Sequence, residues 1–212
     1  MKRFAVVALL ALIVAVPVTA GPLEFGLRAG YAIPMGSAVK NGDLNQFASG
    51  AVPFQLDVDW RFGPQWAAGG YFTYGPTFVA SDMKDHLESI GVSDVSGHFL
   101  QRVGAQVSYH FPSGGRAAPW LGIAAGYEWN RYADGKDALG DAEVGLKGWE
   151  GAIQGGADFW SLDRVTIGPY GMFGMGQYSD VTTTTGGNDS SQSIGDQAMH
   201  QWFQFGLRGS WK

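Results

Sequence analysis

The sequence predicts an all-β fold, an eight-stranded antiparallel up-and-down transmembrane β-barrel with long extracellular loops and short periplasmic turns. Three observations support this prediction. About eight segments alternate in polarity with a period of two residues, which is the pattern of a strand and not of a helix. The charged residues of these segments fall on one face. No stretch after residue 20 approaches the ~18 consecutive apolar residues of a spanning helix, and a closed barrel is the other structure that can cross a bilayer.

The N-terminus has the parts of a secretory signal peptide. Lys2 and Arg3 precede an apolar run over residues 4–18, and small residues follow at 18–20. A run of this length is short for a membrane anchor, which needs ~20 residues. We therefore expect residues 1–20 to be a cleaved signal peptide and residues 21–212 to be one barrel domain in the outer membrane of a Gram-negative bacterium. The chain has no cysteine, so its stability must come from strand pairing and burial.

The first three strands are predicted at about 23–33, 52–62 and 66–74. In each strand, apolar residues occupy one face, and the opposite face of the first two strands carries the charges. Residues 34–50 form a polar connection with several turn-forming residues, whereas 63–65 is a tight turn. The apolar faces of the first two strands are formed by Leu23, Phe25, Leu27, Ala29, Tyr31 and Ile33, and by Val52, Phe54, Leu56, Val58, Trp60 and Phe62.

The next connection, 75–97, is long and contains a predicted surface helix. Ser81 is a suitable N-cap, Asp82 lies in the first turn and Gly91 is a stop signal, so we expect a helix over 81–91. The fourth and fifth strands follow at about 98–111 and 120–129, joined by a modest turn. A third long connection is predicted at 130–148.

The most regular alternation is a hairpin over residues 149–178. Trp149, Ile153 and Phe159 share one face of its first strand, while Glu150 and Asp158 share the other. A four-residue turn at 161–164 joins this strand to a second one that starts at Val165. A fourth long connection is predicted at 179–199, and the last strand at 200–212. The even strand count, with long and short connections in alternation, places both chain termini and the short turns on the periplasmic side and the long loops outside.

The charges on the inward faces are the principal candidate site. An eight-stranded barrel is just wide enough for side chains to fill, so these charges are expected to pair and to plug the lumen. The other interpretation is a narrow polar path for small solutes. Arg28 and Arg208 come from neighbouring strands and are expected to approach the same carboxylate, with Glu24 the closest. The predicted lumen network is Glu24, Arg28, Asp57, Asp59, Arg61, Arg102, Glu128, Glu150, Asp158 and Arg208.

A soluble barrel of the lipocalin type is the competing fold. It would place apolar residues inside and charged residues outside. The face opposite the charges here is almost free of Asp, Glu, Lys and Arg. A charge facing hydrocarbon costs ~2–4 kcal/mol for Lys or Arg at mid-bilayer, so this distribution favours a membrane barrel.

Other chemistry has weaker support in the sequence. Ser108 and His110 share a face, and Glu150 is a conceivable third member of a catalytic group, which makes a lipid A-modifying enzyme the remote alternative. His86, His98, His110 and His200 show no metal-ligand spacing, and we expect no catalytic, cofactor or metal site. The long connections are acidic, which suits either divalent cations or a hydrophilic cap. The formal net charge of −5 argues against nucleic acid as a partner.

The pattern resembles the small eight-stranded outer-membrane proteins of the OmpA/OmpX and OmpW types. The resemblance rests on segments 119–127, 155–159 and 203–211 and on the layout of the whole chain after residue 20. It implies an aromatic C-terminal signal for the barrel-assembly machinery, although Lys212 follows Trp211 here. That signal would comprise Phe203, Phe205, Leu207 and Trp211.

The resemblance also implies a function and partners. We expect a monomer that contacts outer-membrane lipid and lipopolysaccharide and has a structural or surface-interaction role without enzymatic turnover. A narrow channel for passive passage of small, even apolar, solutes is the main alternative.

Overall fold

The structure is a computed structural model that describes residues 22–40, 42–97, 99–113, 115–137, 140–162, 165–185 and 188–211. The predicted signal peptide, His98 and Lys212 lie outside the described residues. No helix in the described ranges is long and apolar enough to cross a membrane.

Strands dominate the described part of the chain. The two helices there are α1 (Leu44–Phe47) and α2 (Ser81–Ser89), and the second confirms the helix predicted at 81–91. The strands are β1 (Leu23–Val39), β2 (Gly42–Asp43), β3 (Ala48–Ala51), β4 (Phe54–Arg61), β5 (Trp66–Val79), β6 (Ser93–Ser96), β7 (Phe99–His110), β8 (Ala118–Asp137), β9 (Gly140–Asp158), β10 (Trp160–Leu162), β11 (Val165–Thr185), β12 (Asn188–Ser193) and β13 (Met199–Trp211).

Eight of these strands close into a ring. The order around the ring is β1, β4, β5, β7, β8, β9, β11 and β13, and every neighbouring pair is antiparallel. The ring closes between the first and last strands, where Phe25 pairs with Trp211 and Arg28 with Arg208. The eight-stranded up-and-down barrel predicted from the sequence is therefore confirmed.

The two ends of the barrel differ. We call the end that carries Leu23 and Trp211 the near end, and the opposite one the far end. The chain passes from β4 to β5, from β7 to β8 and from β9 to β11 at the near end, because Trp60 pairs with Leu23, His110 with Trp120 and Val165 with Trp211. The longer connections lie at the far end.

The far end differs from the sequence prediction. Residues 130–148 and 179–199 were predicted as loops, but most of them belong to strands. β8 and β9 stay paired as far as Asp137 and Gly140, and β11 pairs with both β9 and β12 up to Thr185. Together with β6, which pairs with β8, these strands form a far-end sheet. The connections 34–50 and 75–97 are also partly ordered, since β1 continues to Val39 and β5 to Val79.

Strand structure extends into the near-end turn predicted at 161–164. Ser161 and Leu162 belong to β10, which pairs with the start of β11. Residues 163–164 lie outside the described residues.

The outer wall is apolar and bounded by aromatic residues. Leu121 and Ile123 on β8 are 58% and 64% exposed. Near this level, Trp66 packs edge-on against Tyr109 with ring centroids 5.0 Å apart, and further along β8 Tyr127 packs against Trp129 at 4.6 Å. The 11 residues 119–129 of β8 match the ~9–11 residues of a spanning strand.

Candidate functional site: the barrel lumen

The ten charged residues predicted for the lumen all point into the barrel. Nine of them are buried, and the side chain of Arg61 is 17% exposed. Unpaired charges in such an interior are costly, so their stability depends on their partners. The contacts fall into three tiers between the near end and the far end.

The lower tier, nearest the near end, is formed by Glu24, Arg61, Asp158 and Arg208. Glu24 accepts hydrogen bonds from Arg61 Nε at 2.5 Å and from Arg208 at 2.8 Å. Arg208 also lies 3.7 Å from Asp158. The expectation that Arg28 and Arg208 share Glu24 is wrong, because Arg61 takes the second place on this carboxylate.

The middle tier is organised by Arg28. Its Nε donates to Asp57 at 2.7 Å, and its two terminal nitrogens donate to Gln154 and Gln106 at 2.5 and 3.1 Å. Gln106 donates in turn to both oxygens of Asp59, at 3.0 and 3.1 Å. Asp59 is therefore held by an amide side chain.

Trp120 contacts two like charges, one from each of these tiers. Arg28 and Arg208 are direct cross-strand partners, a placement that is unfavourable for like charges. Their guanidinium carbons lie 5.3 and 5.0 Å from the centroid of the Trp120 ring, within the range of cation–π attraction. Arg28 then extends to Asp57 and Arg208 to Glu24, so each charge has its own carboxylate.

The upper tier is formed by Arg102, Glu128, Glu150, Tyr178 and His200. Arg102 Nε donates to Glu128 Oε2 at 2.7 Å, and another nitrogen of the same guanidinium lies 3.2 Å from Glu150. The Tyr178 hydroxyl donates to Glu128 Oε1, and its ring stacks on His200 at 3.8 Å with an interplanar angle of 6°. One oxygen of each carboxylate and one nitrogen of His200 all lie within 4.8 Å of one another.

An apolar cap covers the upper tier at the far end. It contains buried apolar residues from several strands and from α1, the short helix between β2 and β3. Burial of apolar surface excludes water from this end of the lumen. The cap is formed by Ala32, Ala38, Leu44, Ala48, Ala51, Leu100, Leu146, Tyr178 and Trp202.

Inward glycines make room for the large lumen side chains. A Cβ at Gly156 would lie 3.0 Å from the Trp120 ring, and one at Gly104 would lie 2.7 Å from the Tyr71 ring. The Tyr71 ring thus occupies the space beside Gly104. Small residues on one strand and large ones on the next fill the taper of a narrow barrel.

Several lumen residues were not predicted as part of the network. Gln55, Gln106 and Gln154 link its charges, and Tyr178 and His200 complete its upper tier. The signal for them was present, because all five lie in phase with predicted inward residues or directly follow them. Amide and hydroxyl groups can both donate and accept, so they bridge charges that cannot contact each other.

The conceivable catalytic group is not brought together. Ser108 Oγ lies 3.3 Å from His110 Nε2. Glu150 is level with Gly126 and Gly104, six residues along β7 from His110. Six strand positions correspond to ~20 Å, so Glu150 cannot orient this histidine.

The predicted C-terminal assembly signal lies on the outer face of β13. Phe203, Phe205 and Leu207 are 42%, 46% and 58% exposed, and Trp211 is partly exposed. Their use by an assembly machinery stays a prediction.

Fold comparison gives the class of protein: the chain has the fold of small outer-membrane β-barrel proteins. A major outer membrane protein from Thermus thermophilus matches with a TM-score of 0.54 and 12% identity over 89% of this chain and 99% of the other. Neisserial surface protein A matches with a TM-score of 0.53 and 13% identity, over 89% and 96%. The outer membrane protein OprG of Pseudomonas aeruginosa matches with a TM-score of 0.52 and 11% identity, over 89% and 95%.

At these identities, the likeness shows the fold alone. No protein-family model matches the sequence. No curated protein matches it either. The function must therefore be argued from the barrel itself.

Proposed function

We propose that the protein is an integral outer-membrane protein whose filled barrel anchors the far-end sheet at the cell surface, where it has a structural or surface-interaction role. The observation that carries this proposal is the reversed distribution of polarity. Nine of the ten charged lumen residues are buried inside, while large apolar side chains such as Leu121 and Ile123 cover the outside. A water-soluble barrel has the opposite arrangement.

The outer wall supports a lipid environment. Burying one large apolar side chain is worth ~1.5–3 kcal/mol, and exposed residues of this kind lie on all eight ring strands. Within the described strands, outward charges begin on β8 only at Arg131, just beyond the aromatic Trp129. The hydrocarbon region would thus end near Trp129, and the near end would be periplasmic.

The lumen contacts support a plug. A solute entering from the far end meets the apolar cap and then the upper tier, in which Arg102 joins Glu128 and Glu150. In the middle tier, the solute then meets Arg28, whose hydrogen bonds link its own strand β1 to β4, β7 and β9. The electrical test is a planar bilayer containing the purified protein, with a known porin as the positive control. We expect no steady conductance.

Slow passage of small solutes is the second candidate, and one observation favours it. Several buried polar atoms have no hydrogen-bond partner among the described residues, including those of Asn130, the terminal nitrogens of Arg102 and Gln204 Oε1. Buried polar atoms of this kind commonly bind water. Steady conductance in the bilayer would favour this candidate over the plug.

We also propose that the protein has no enzymatic turnover. The separation of Glu150 from Ser108 and His110 supports this view, since a serine nucleophile requires an oriented base. Lipid A from cells with and without the protein should give the same mass spectrum. A mass change that His110→Ala abolishes would overturn the proposal.

The proposed partners follow from the location. The outer wall would contact lipid and lipopolysaccharide, the aromatic face of β13 would engage the barrel-assembly machinery, and the protein would be a monomer without a nucleic-acid partner. Separation of inner and outer membranes by density should place the protein in the outer-membrane fraction. Recovery of the protein in the soluble fraction would contradict the outer-membrane location on which the proposed partners depend.

A further inference from the structure

We propose that Glu128, Glu150 and His200 form a binding site for one divalent transition-metal ion, with Zn²⁺ as the representative. The three side chains come from β8, β9 and β13 and meet in the upper tier of the lumen. One possible ligand atom from each lies within 4.8 Å of the other two, and all three residues are buried. The proposal concerns the lumen only and does not depend on the surface role proposed above.

His200 is the first independent indication of a ligand. It is 0% exposed, yet neither ring nitrogen has a hydrogen-bond partner among the described residues. Its Nε2 lies 3.9 Å from Glu128 Oε1, which is too long for a hydrogen bond. Two ligands of a tetrahedral zinc ion with bonds of 2.0–2.2 Å are about 3.4 Å apart. The imidazole is therefore oriented toward the carboxylate at nearly the spacing of two metal ligands.

The strand between the ligands leaves space for them. β11 lies between β9 and β13, and its inward residues at this level are Gly174 and Gly176. A Cβ at Gly174 would lie 2.8 Å from the carboxyl carbon of Glu150, and one at Gly176 would lie 3.0 Å from His200 Cε1. Any larger residue at these two positions would displace a proposed ligand.

The charges in the upper tier are unbalanced. When both are ionised, Glu128 and Glu150 carry two negative charges, while Arg102 supplies one positive charge. The guanidinium contacts Glu128 through Oε2, whereas His200 faces Oε1 of the same group. Arg102 therefore leaves Glu128 Oε1 without an arginine contact. This oxygen accepts from Tyr178 and, at 3.3 Å, from Trp202 Nε1, and a cation bound to it would compensate the remaining charge.

The surrounding hydrogen bonds are those expected around metal ligands. Carboxylates that bind metals are usually held by further donors, and Glu128 accepts from Tyr178 and from Arg102. The stacked Tyr178 ring also fixes the plane of His200. Asn130, the next inward residue on β8, also has no side-chain hydrogen-bond partner among the described residues.

The ligand types indicate the class of metal. One imidazole and two carboxylates suit Zn²⁺ and neighbouring transition ions, which accept nitrogen ligands. Ca²⁺ requires six to eight oxygen ligands, and Mg²⁺ a near-octahedral oxygen set. Three protein ligands leave a fourth position for water.

The test measures metal retention directly. The untagged protein is unfolded in urea, refolded into detergent with Zn²⁺ or with EDTA, dialysed, and analysed for bound metal by mass spectrometry. We expect one Zn²⁺ per chain, a higher urea midpoint of the zinc-loaded protein, and visible absorption bands after refolding with Co²⁺. Glu150→Gln and His200→Ala should lose the ion, while the matched controls His86→Ala and His110→Ala should keep it.

Two results would overturn the proposal. One is wild-type protein that folds, as judged by its gel mobility without heating, but retains no Zn²⁺ and gives no Co²⁺ bands. The other is retention of the ion by Glu150→Gln and His200→Ala, which would place the metal elsewhere, as on the acidic far-end sheet. Glu150→Gln preserves side-chain size, so it remains informative if His200→Ala fails to fold.

Discussion

Arg28→Ala is the sharpest test of whether the lumen is a plug. The Arg28 side chain is 2% exposed and the Asp57 side chain 0%, and their atoms are 2.7 Å apart. Removing one partner of a buried pair leaves an uncompensated charge and costs ~3–5 kcal/mol. With an m-value of about 2 kcal/mol per M for urea, the unfolding midpoint should fall by roughly 1.5–2.5 M.

The assay is urea unfolding of the protein in detergent or lipid vesicles, followed by tryptophan fluorescence. Lys40→Ala is the control, because Lys40 pairs with Asp196 at 2.9 Å while their side chains are 65% and 73% exposed. Surface pairs contribute little, so this variant should unfold with the wild type. The double variant Arg28→Met/Asp57→Leu should recover part of the loss, because an apolar pair replaces the buried ions. The recovery should be incomplete, since Gln154 and Gln55 lose their partners in the lumen. If Arg28→Ala and Lys40→Ala have the same urea midpoint, the lumen contains water that screens its charges. That result would support slow passage of small solutes over a plugged lumen.

Three further predictions test the wall, the packing and the assembly signal. Ile123→Arg should destabilise the protein in lipid by ~2–4 kcal/mol, measured by reversible unfolding from vesicles, and no loss would mean that this face does not meet hydrocarbon. Gly174→Ala should cost ~1–3 kcal/mol by overpacking against Glu150, whereas Gly171→Ala, whose Cβ would have its nearest neighbour at 3.9 Å, should be close to neutral in the same assay. Trp211→Ala should reduce the amount of folded barrel in outer membranes, and unchanged amounts would remove Trp211 from the assembly signal.

The sequence was informative where the two faces of a strand meet different surroundings. Within the bilayer, one face of a strand contacts hydrocarbon and the other a polar lumen. Polarity therefore alternates along the sequence and predicts the barrel strands. Beyond Trp129 both faces of β8 leave that environment, and the alternation that marks the strand disappears. Backbone pairing with β9 nevertheless continues to Asp137, which is why 130–148 was predicted as a loop. The run of threonines at 182–185, a residue type favoured in strands, was an available signal that β11 continues.

The sequence predicted which side chains face the lumen better than it predicted which of them pair with each other. Alternation indicated that Glu24, Arg28 and Arg208 point inward, but the choice of partner depends on side-chain reach across a staggered barrel. Arg61 on β4 reaches Glu24 because β1 and β4 pair with Glu24 opposite Asp59. His200 showed no metal-ligand spacing in the sequence and was not included in the predicted network. It is in phase with the inward Trp202 of the same strand, so its inward position was predictable, whereas its lack of a hydrogen-bond partner among the described residues was not.

The arrangement of the lumen also bears on where the protein can act. A solute crossing the barrel must separate Arg102 from its carboxylates and then Arg28 from Asp57. Each separation costs ~3–5 kcal/mol. If both tiers must be open at the same time, the free-energy barrier to passage rises by roughly 6–10 kcal/mol. Each 1.36 kcal/mol is a factor of ten in rate, so passage would be slower than through an open pore by about four to seven orders of magnitude. Such a lumen suits a rigid support, and the accessible chemistry is then concentrated in the far-end sheet. β8 extends eight residues past Trp129, about 25 Å of strand, which is long enough to present this sheet beyond the lipid headgroups to a partner.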